Sequence, residues 1–153
     1  MLFLDVDGPL LPFRARRDTE DPLLARIDRA DGPRLRALNC RLVWATTWMD
    51  EANEVVAPLL GLPELPVVRW PDDDDVPIRG MHWKTAPLTR WARGQPFVWL
   101  DDEIGDMDRL WVAGEHPAPA LLHKVDPYLG LTEDDLETVR RWVLRSDSPR
   151  LGR

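Results

Sequence analysis

The sequence predicts a three-layer α/β fold, a parallel sheet of about five strands with helices on both faces. Two observations predict it. Short apolar runs alternate with longer amphipathic stretches, the pattern of strands buried on both faces and of helices that cover them. Polar residues also gather directly after the apolar runs, where an open parallel sheet places its ligands.

The expected strands are residues 2–6, 42–45, 66–70, 97–100 and 120–125, and the expected helices are 34–39, 49–60, 82–93, 104–113 and 132–145. Glycine and proline mark the helix ends: Gly61 and Pro63 close the second, Gly94 and Pro96 the third, Gly114 the fourth. The last opens on Thr132-Glu133-Asp134-Asp135, a capping residue followed by acids that suit a helix N-terminus. Residues 9–33, rich in Arg, Asp and Pro, and residues 71–80, which contain Asp72-Asp73-Asp74-Asp75, read as loops. Consecutive carboxylates rarely converge on one ion, so the aspartate run reads as a solvated, self-repelling segment. The alternation of strand and helix is that of a Rossmann-like sheet, and residues 146–153 read as a flexible C-terminal tail.

At 153 residues with 44% hydrophobic content, the chain has material for one core. A net charge of −7 argues against extensive binding along duplex nucleic acid. The lone Cys40 excludes an intrachain disulfide and reads as a small apolar residue beside a strand; no Cys/His spacing suits zinc. An acid at Asp5 follows only a few apolar residues, so neither a secretory signal nor a membrane span is expected and a cytoplasmic location is.

The chemistry lies at the strand ends. The first strand delivers Asp5-Val6-Asp7-Gly8, the second Thr46-Thr47, the fourth Asp101-Asp102-Glu103, and Lys84 stands at the start of the helix preceding that fourth strand. Asp5, Asp7, Asp101 and Asp102 gathered at one sheet edge repel one another unless a cation neutralises them. Oxygen-only ligands select Mg²⁺, which takes the rest of its shell from water and a substrate phosphate. For such a phosphate Asp5 suits the nucleophile, and Asp7 an acid that protonates the leaving oxygen and then deprotonates water. Side chains two apart on a strand share a face, but both must meet the same phosphate beyond the strand end, and Gly8 lets the chain turn away sharply there. Thr46 offers a hydroxyl, Lys84 a positive charge, and Asp101 with Asp102 a seat for the metal.

These segments resemble the four motifs of the haloacid dehalogenase (HAD) superfamily: Asp5-Val6-Asp7-Gly8-Pro9-Leu10 the first, Leu42-Val43-Trp44-Ala45-Thr46 the second, Lys84 the third, and Val98-Trp99-Leu100-Asp101-Asp102 the fourth. A calcium loop also begins Asp-x-Asp, but here the glycine comes too early and apolar residues follow. The resemblance implies a HAD-type phosphatase in which Asp5 is both nucleophile and metal ligand, the Val6 carbonyl is a further ligand, and Asp7 is the acid/base. It implies that Thr46 is the second-motif residue, with Thr47 as the competing choice through its hydroxyl or backbone N–H, and that Lys84 holds the third-motif place, with Lys124 as the alternative. Residues 1–145 then form a single catalytic domain.

Relatives with specific small substrates usually carry a cap domain after the first motif or between the second and third. Residues 9–41 and 48–83 leave no room for one, so the site is expected to be open and covered by its substrate or by a partner. Arg14, Arg16 and Arg17 lie on a flap that can reach a phosphate. Trp48, Trp70 and Trp83 fall near the catalytic edge, where they can stack a base, although most of the eight tryptophans suit the core. His82 reads as a helix-start residue, and His116 and His123 show no acidic partner at a recognisable spacing. The expected substrate is a phosphorylated small molecule, a nucleotide or a phosphorylated nucleic-acid end. Two alternatives are a phosphate-binding regulatory module, against which the retained Asp5 and Asp7 argue, and a phosphotransferase, which needs a lid.

Overall fold

The computed structural model describes residues 1–14, 23–72 and 78–147. Among these residues four short parallel strands, β1 (Leu2–Leu4), β2 (Leu42–Trp44), β3 (Phe97–Asp101) and β4 (Ala120–Lys124), form one sheet in the order β2-β1-β3-β4. In register, Leu4 of β1 pairs with both Trp44 of β2 and Leu100 of β3. The three carboxyl ends are therefore level, and Asp5, Ala45 and Asp101 emerge side by side.

Among the described residues five α-helices cover the sheet: α1 (Asp31–Ala37), α2 (Ala57–Leu60), α3 (Thr85–Ala92), α4 (Asp106–Glu115) and α5 (Glu133–Asp147). Leu2 and Leu4 face α1, α2 and α5 through Leu35, Leu60, Leu136 and Val139. Phe3, Val43 and Trp99 face α3 and α4 through Leu88, Ala92 and Val112. The continuous apolar runs thus feed two cores, one on each face, as a parallel sheet requires. Helix α1 packs so closely on α2 that a Cβ on Gly32 would stand 1.7 Å from the Leu60 carbonyl oxygen. Among the described residues there is no cap domain, and no helix is long and apolar enough to cross a membrane.

One expected strand is absent. Residues 66–70 make only a single bridge, Val67 to Trp44, in which Trp44 N–H donates to the Pro66 carbonyl (2.8 Å) and Val68 N–H donates to the Trp44 carbonyl (2.9 Å). Pro66 has no N–H for a ladder, and Pro63 and Pro71 bracket it. Asn53 holds this ribbon instead: its Oδ1 accepts from Trp44 Nε1 and from Leu65 N–H, and its Nδ2 donates to the Leu65 carbonyl, each at 2.8 Å. Asn53 belongs to a π-helical turn (Ala52–Val56) that leads into α2, so the helix expected over 49–60 is regular only at its end. The loop expected over 9–33 contains a 3-10 turn (Leu24–Arg26) and the start of α1, and α3 begins at Thr85 with Lys84 as its N-cap. Of the expected tail, Ser146 and Asp147 complete α5, and the remainder lies outside the described residues.

Candidate active site

β1 ends at Leu4 and releases Asp5, whose carboxylate is buried; its Oδ1 accepts from the Val6 N–H at 2.9 Å. The chain then folds back, with Leu10 N–H and Leu11 N–H both donating to the Val6 carbonyl and Gly8 N–H donating to the Leu11 carbonyl. Gly8 adopts φ +96°, and a Cβ there would meet Asp102 Cγ at 2.7 Å. It therefore makes the turn and also leaves space for the second acid of β3.

Lys84 is 4% exposed and lies among the ends of three strands. Its Nζ stands 3.2 Å from Asp5 Oδ1, and donates to Asp101 Oδ2 and to the Ala45 carbonyl, each at 3.0 Å. Burial alone pushes the ammonium pKa down, but Asp5 and Asp101 more than offset this, so Lys84 titrates above its ordinary value. Asp101 Oδ1 accepts from Glu103 N–H at 3.0 Å. Asp5, Asp101 and Asp102 each present a carboxylate oxygen within 4.8 Å of the others. Burial pushes Asp5 up to about 7 against the pull of Lys84, and burial with the Asp101 charge pushes Asp102 up to about 6. Two acids that resist ionisation beside a third, all with hard oxygen donors, make a set that fits a divalent cation such as Mg²⁺.

Asp7 is exposed, and its Oδ2 accepts from Trp48 Nε1 at 3.2 Å. Thr46 is buried, with Oγ1 accepting from Trp48 N–H at 3.1 Å, whereas Thr47 is exposed. Trp70 Nε1 donates to the Thr46 carbonyl at 3.1 Å, and its ring meets Trp83 edge-on at 4.9 Å. Lys84 Nζ lies 5.8 and 5.7 Å from the Trp70 and Trp83 ring centroids. The structure thus brings Asp5, Lys84, Asp101 and Asp102 together, sets Asp7 and Thr46 beside Trp48, and leaves Lys124 exposed on β4. Arg14 lines a cavity of about 140 Å³ with Arg26, Asp28 and Asp31. Arg16, Arg17 and Asp73–Asp75 lie outside the described residues.

Sequence reasoning missed the support for Lys84. Asp108, 1% exposed on α4, accepts from His82 N–H (2.7 Å), Thr85 Oγ1 (2.6 Å) and Gly105 N–H (2.8 Å), and so ties the starts of α3 and α4 together. Its signal was an acid three residues after Gly105 on the same helical face as Val112. His82 is a helix-start residue, as expected: its Nδ1 accepts from Lys84 N–H at 3.1 Å, which puts its proton on Nε2, 2.9 Å from Glu103 Oε2. The expectation for His123 is corrected. Its Nε2 lies 2.7 Å from Asp135 Oδ1, because β4 and α5 pack together and bring near a carboxylate twelve residues away. His116 Nε2 meets the Gln95 carbonyl at 2.8 Å.

A parallel sheet whose central strand ends on a buried aspartate, with a lysine and two further acids from neighbouring elements around it, defines the HAD class of phosphoesterase domains. Within that class, residues 1–136 match the family described as the HAD domain in Swiss Army Knife RNA repair proteins, and the chain belongs to it. Neither a curated protein nor a solved structure matches the chain.

Proposed function

We propose that this domain is a Mg²⁺-dependent phosphomonoesterase that works through an aspartyl phosphate on Asp5 and acts on a phosphorylated nucleic-acid end, RNA foremost. One observation carries the reading: three carboxylates within 4.8 Å of one another, with the Lys84 ammonium 3.2 Å from Asp5. Mg²⁺ held by Asp5, Asp101 and Asp102 would offset charge on the carboxylates and on the phosphoryl oxygens; the Val6 carbonyl expected as a further ligand is instead taken by the Leu10 and Leu11 N–H groups. The RNA end follows from the family, whose description places such domains in RNA repair proteins, and from an uncapped site that admits a chain terminus or a free nucleotide.

The steps use this chain's own groups. Asp5 attacks phosphorus as its ester bond to the leaving oxygen breaks, and Asp7 gives that oxygen a proton. Asp7, now a carboxylate, takes a proton from water, which attacks the aspartyl phosphate and releases inorganic phosphate and free Asp5. The Trp48 indole N–H holds Asp7 through its Oδ2. Thr46 accepts from Trp48 N–H, which leaves its hydroxyl proton for a phosphate oxygen, and Lys84 supplies positive charge.

Purified protein is expected to hydrolyse p-nitrophenyl phosphate in Mg²⁺, to stop on addition of EDTA, and to lose at least a thousandfold in kcat as Asp5→Asn. Turnover persisting in that variant overturns the nucleophile and the mechanism with it.

A further inference from the structure

A cavity of about 830 Å³ runs beside α3, lined by Arg41, Arg69, Arg90 and Arg93 together with Trp70 and Trp91. Its placement is unexpected in a chain of net charge −7. All four arginines are exposed, and among the described residues no aspartate or glutamate lines the cavity. Arg41 stacks over the Trp91 ring at 5.6 Å, and Arg69 pairs with Asp50 at 2.5 and 3.0 Å.

The cavity is joined to the catalytic pocket through Trp70. That ring lines the cavity, donates its N–H to the Thr46 carbonyl and lies 5.8 Å from Lys84 Nζ. Trp83, 41% exposed, is packed edge-on against it and stacked on His82 at 5.5 Å, which sets an exposed aromatic ring 5.7 Å from the catalytic lysine. A phosphate pocket, then aromatic rings, then a row of guanidinium groups is the succession that a single strand reads: terminal phosphate, bases, backbone.

We propose that this groove is the path of a single-stranded nucleic acid whose phosphorylated end occupies the active site. The proposal rests on the catalytic reading of that site, and adds where the rest of the substrate lies. The groove runs beside one helix, and the net charge of −7 carried by the rest of the chain disfavours contact elsewhere.

The test compares Arg41→Gln/Arg93→Gln with the parent protein, neither residue touching the catalytic groups. Binding of a fluorescein-labelled single-stranded hexaribonucleotide is followed by anisotropy, and KM is measured for a phosphorylated hexamer and for a nucleoside monophosphate. The variant is expected to bind the hexamer about tenfold more weakly, and its salt slope to fall by about 1.4, near 0.7 for each phosphate no longer neutralised. KM for the hexamer is expected to rise about as much, with the mononucleotide unchanged. Unchanged hexamer binding, equal losses on both substrates, or displacement of the hexamer by polyglutamate as effectively as by RNA overturns the groove. Because anisotropy needs no turnover, an enzyme inert toward every phosphate overturns the catalytic reading while the groove is still judged.

Discussion

Replacing Lys84 with methionine keeps the buried stem and removes the ammonium that lies among Asp5, Asp101 and the Ala45 carbonyl. Asp101 is 1% exposed and Asp5 6%, so neither regains water when its partner goes. Removing one member of a buried ionic group costs about 3–5 kcal/mol, a fifth or more of a typical domain's stability of about 5–15 kcal/mol. The loss depends on pH with a definite sign. Asp5 titrates near 7 in the folded protein against 3.8 unfolded, so protons favour the folded state, and its contribution is fully present below about pH 4 and lost as pH rises through 7. Without Lys84 its carboxyl moves higher still. At pH 5 it is then neutral in both proteins and the variant lacks only the pairing with Asp101; at pH 8 it must either stay ionised without its partner or take up a proton, and both cost stability. Urea denaturation in EDTA is therefore expected to show a deficit of about 3–5 kcal/mol at pH 8 and a clearly smaller one at pH 5. A loss under 1 kcal/mol at pH 8, or equal losses at both values, refutes the claim that this ammonium holds the strand ends together.

Two further outcomes follow from the same cluster. Because Asp5 and Asp102 are raised to about 7 and about 6, Mg²⁺ must displace protons to bind, so its stabilisation of the parent protein is expected to be several-fold larger at pH 7.5 than at pH 5.5 in a thermal-shift titration; a pH-independent effect places the ion elsewhere. Gly8→Ala sets a side chain at φ +96° and 2.7 Å from Asp102 Cγ, so a stability loss of about 1–3 kcal/mol is expected together with at least tenfold weaker Mg²⁺ binding by calorimetry, and unimpaired metal affinity contradicts the placement of Asp102 against the turn.

The strand ends were legible because a parallel sheet with level carboxyl ends makes the residue after each apolar run a neighbour of the others, so Asp5, Thr46 and Asp101 were drawn to one edge by sequence position alone. Lys84 was legible as far as its helix start. What fixes it was not: Asp108 lies 26 residues from His82, and their meeting depends on how α3 and α4 lie on the sheet. The same holds for His123 and Asp135, joined by helix-on-strand packing. Residues 66–70 misled because Val67, Val68 and Trp70 have strand-like side chains, whereas the outcome was decided by donors that Pro66 lacks and that Asn53 replaces. Trp48 carried an ambiguous signal, since nothing in its spacing distinguishes a base-stacking ring from one whose N–H is spent on Asp7.

The proline-bounded ribbon beside β2 has an effect on the molecule's dealings with its neighbours. β2 is the outermost strand on its side of the sheet, and an exposed row of backbone donors and acceptors there invites pairing with another chain. A fifth strand would only have moved that invitation outward by one place. By meeting β2 at Trp44 alone and offering prolines at 63, 66 and 71 beyond it, the ribbon closes the rim without presenting a new one, and so protects against end-on accretion a sheet whose opposite duty is to keep its catalytic edge uncovered.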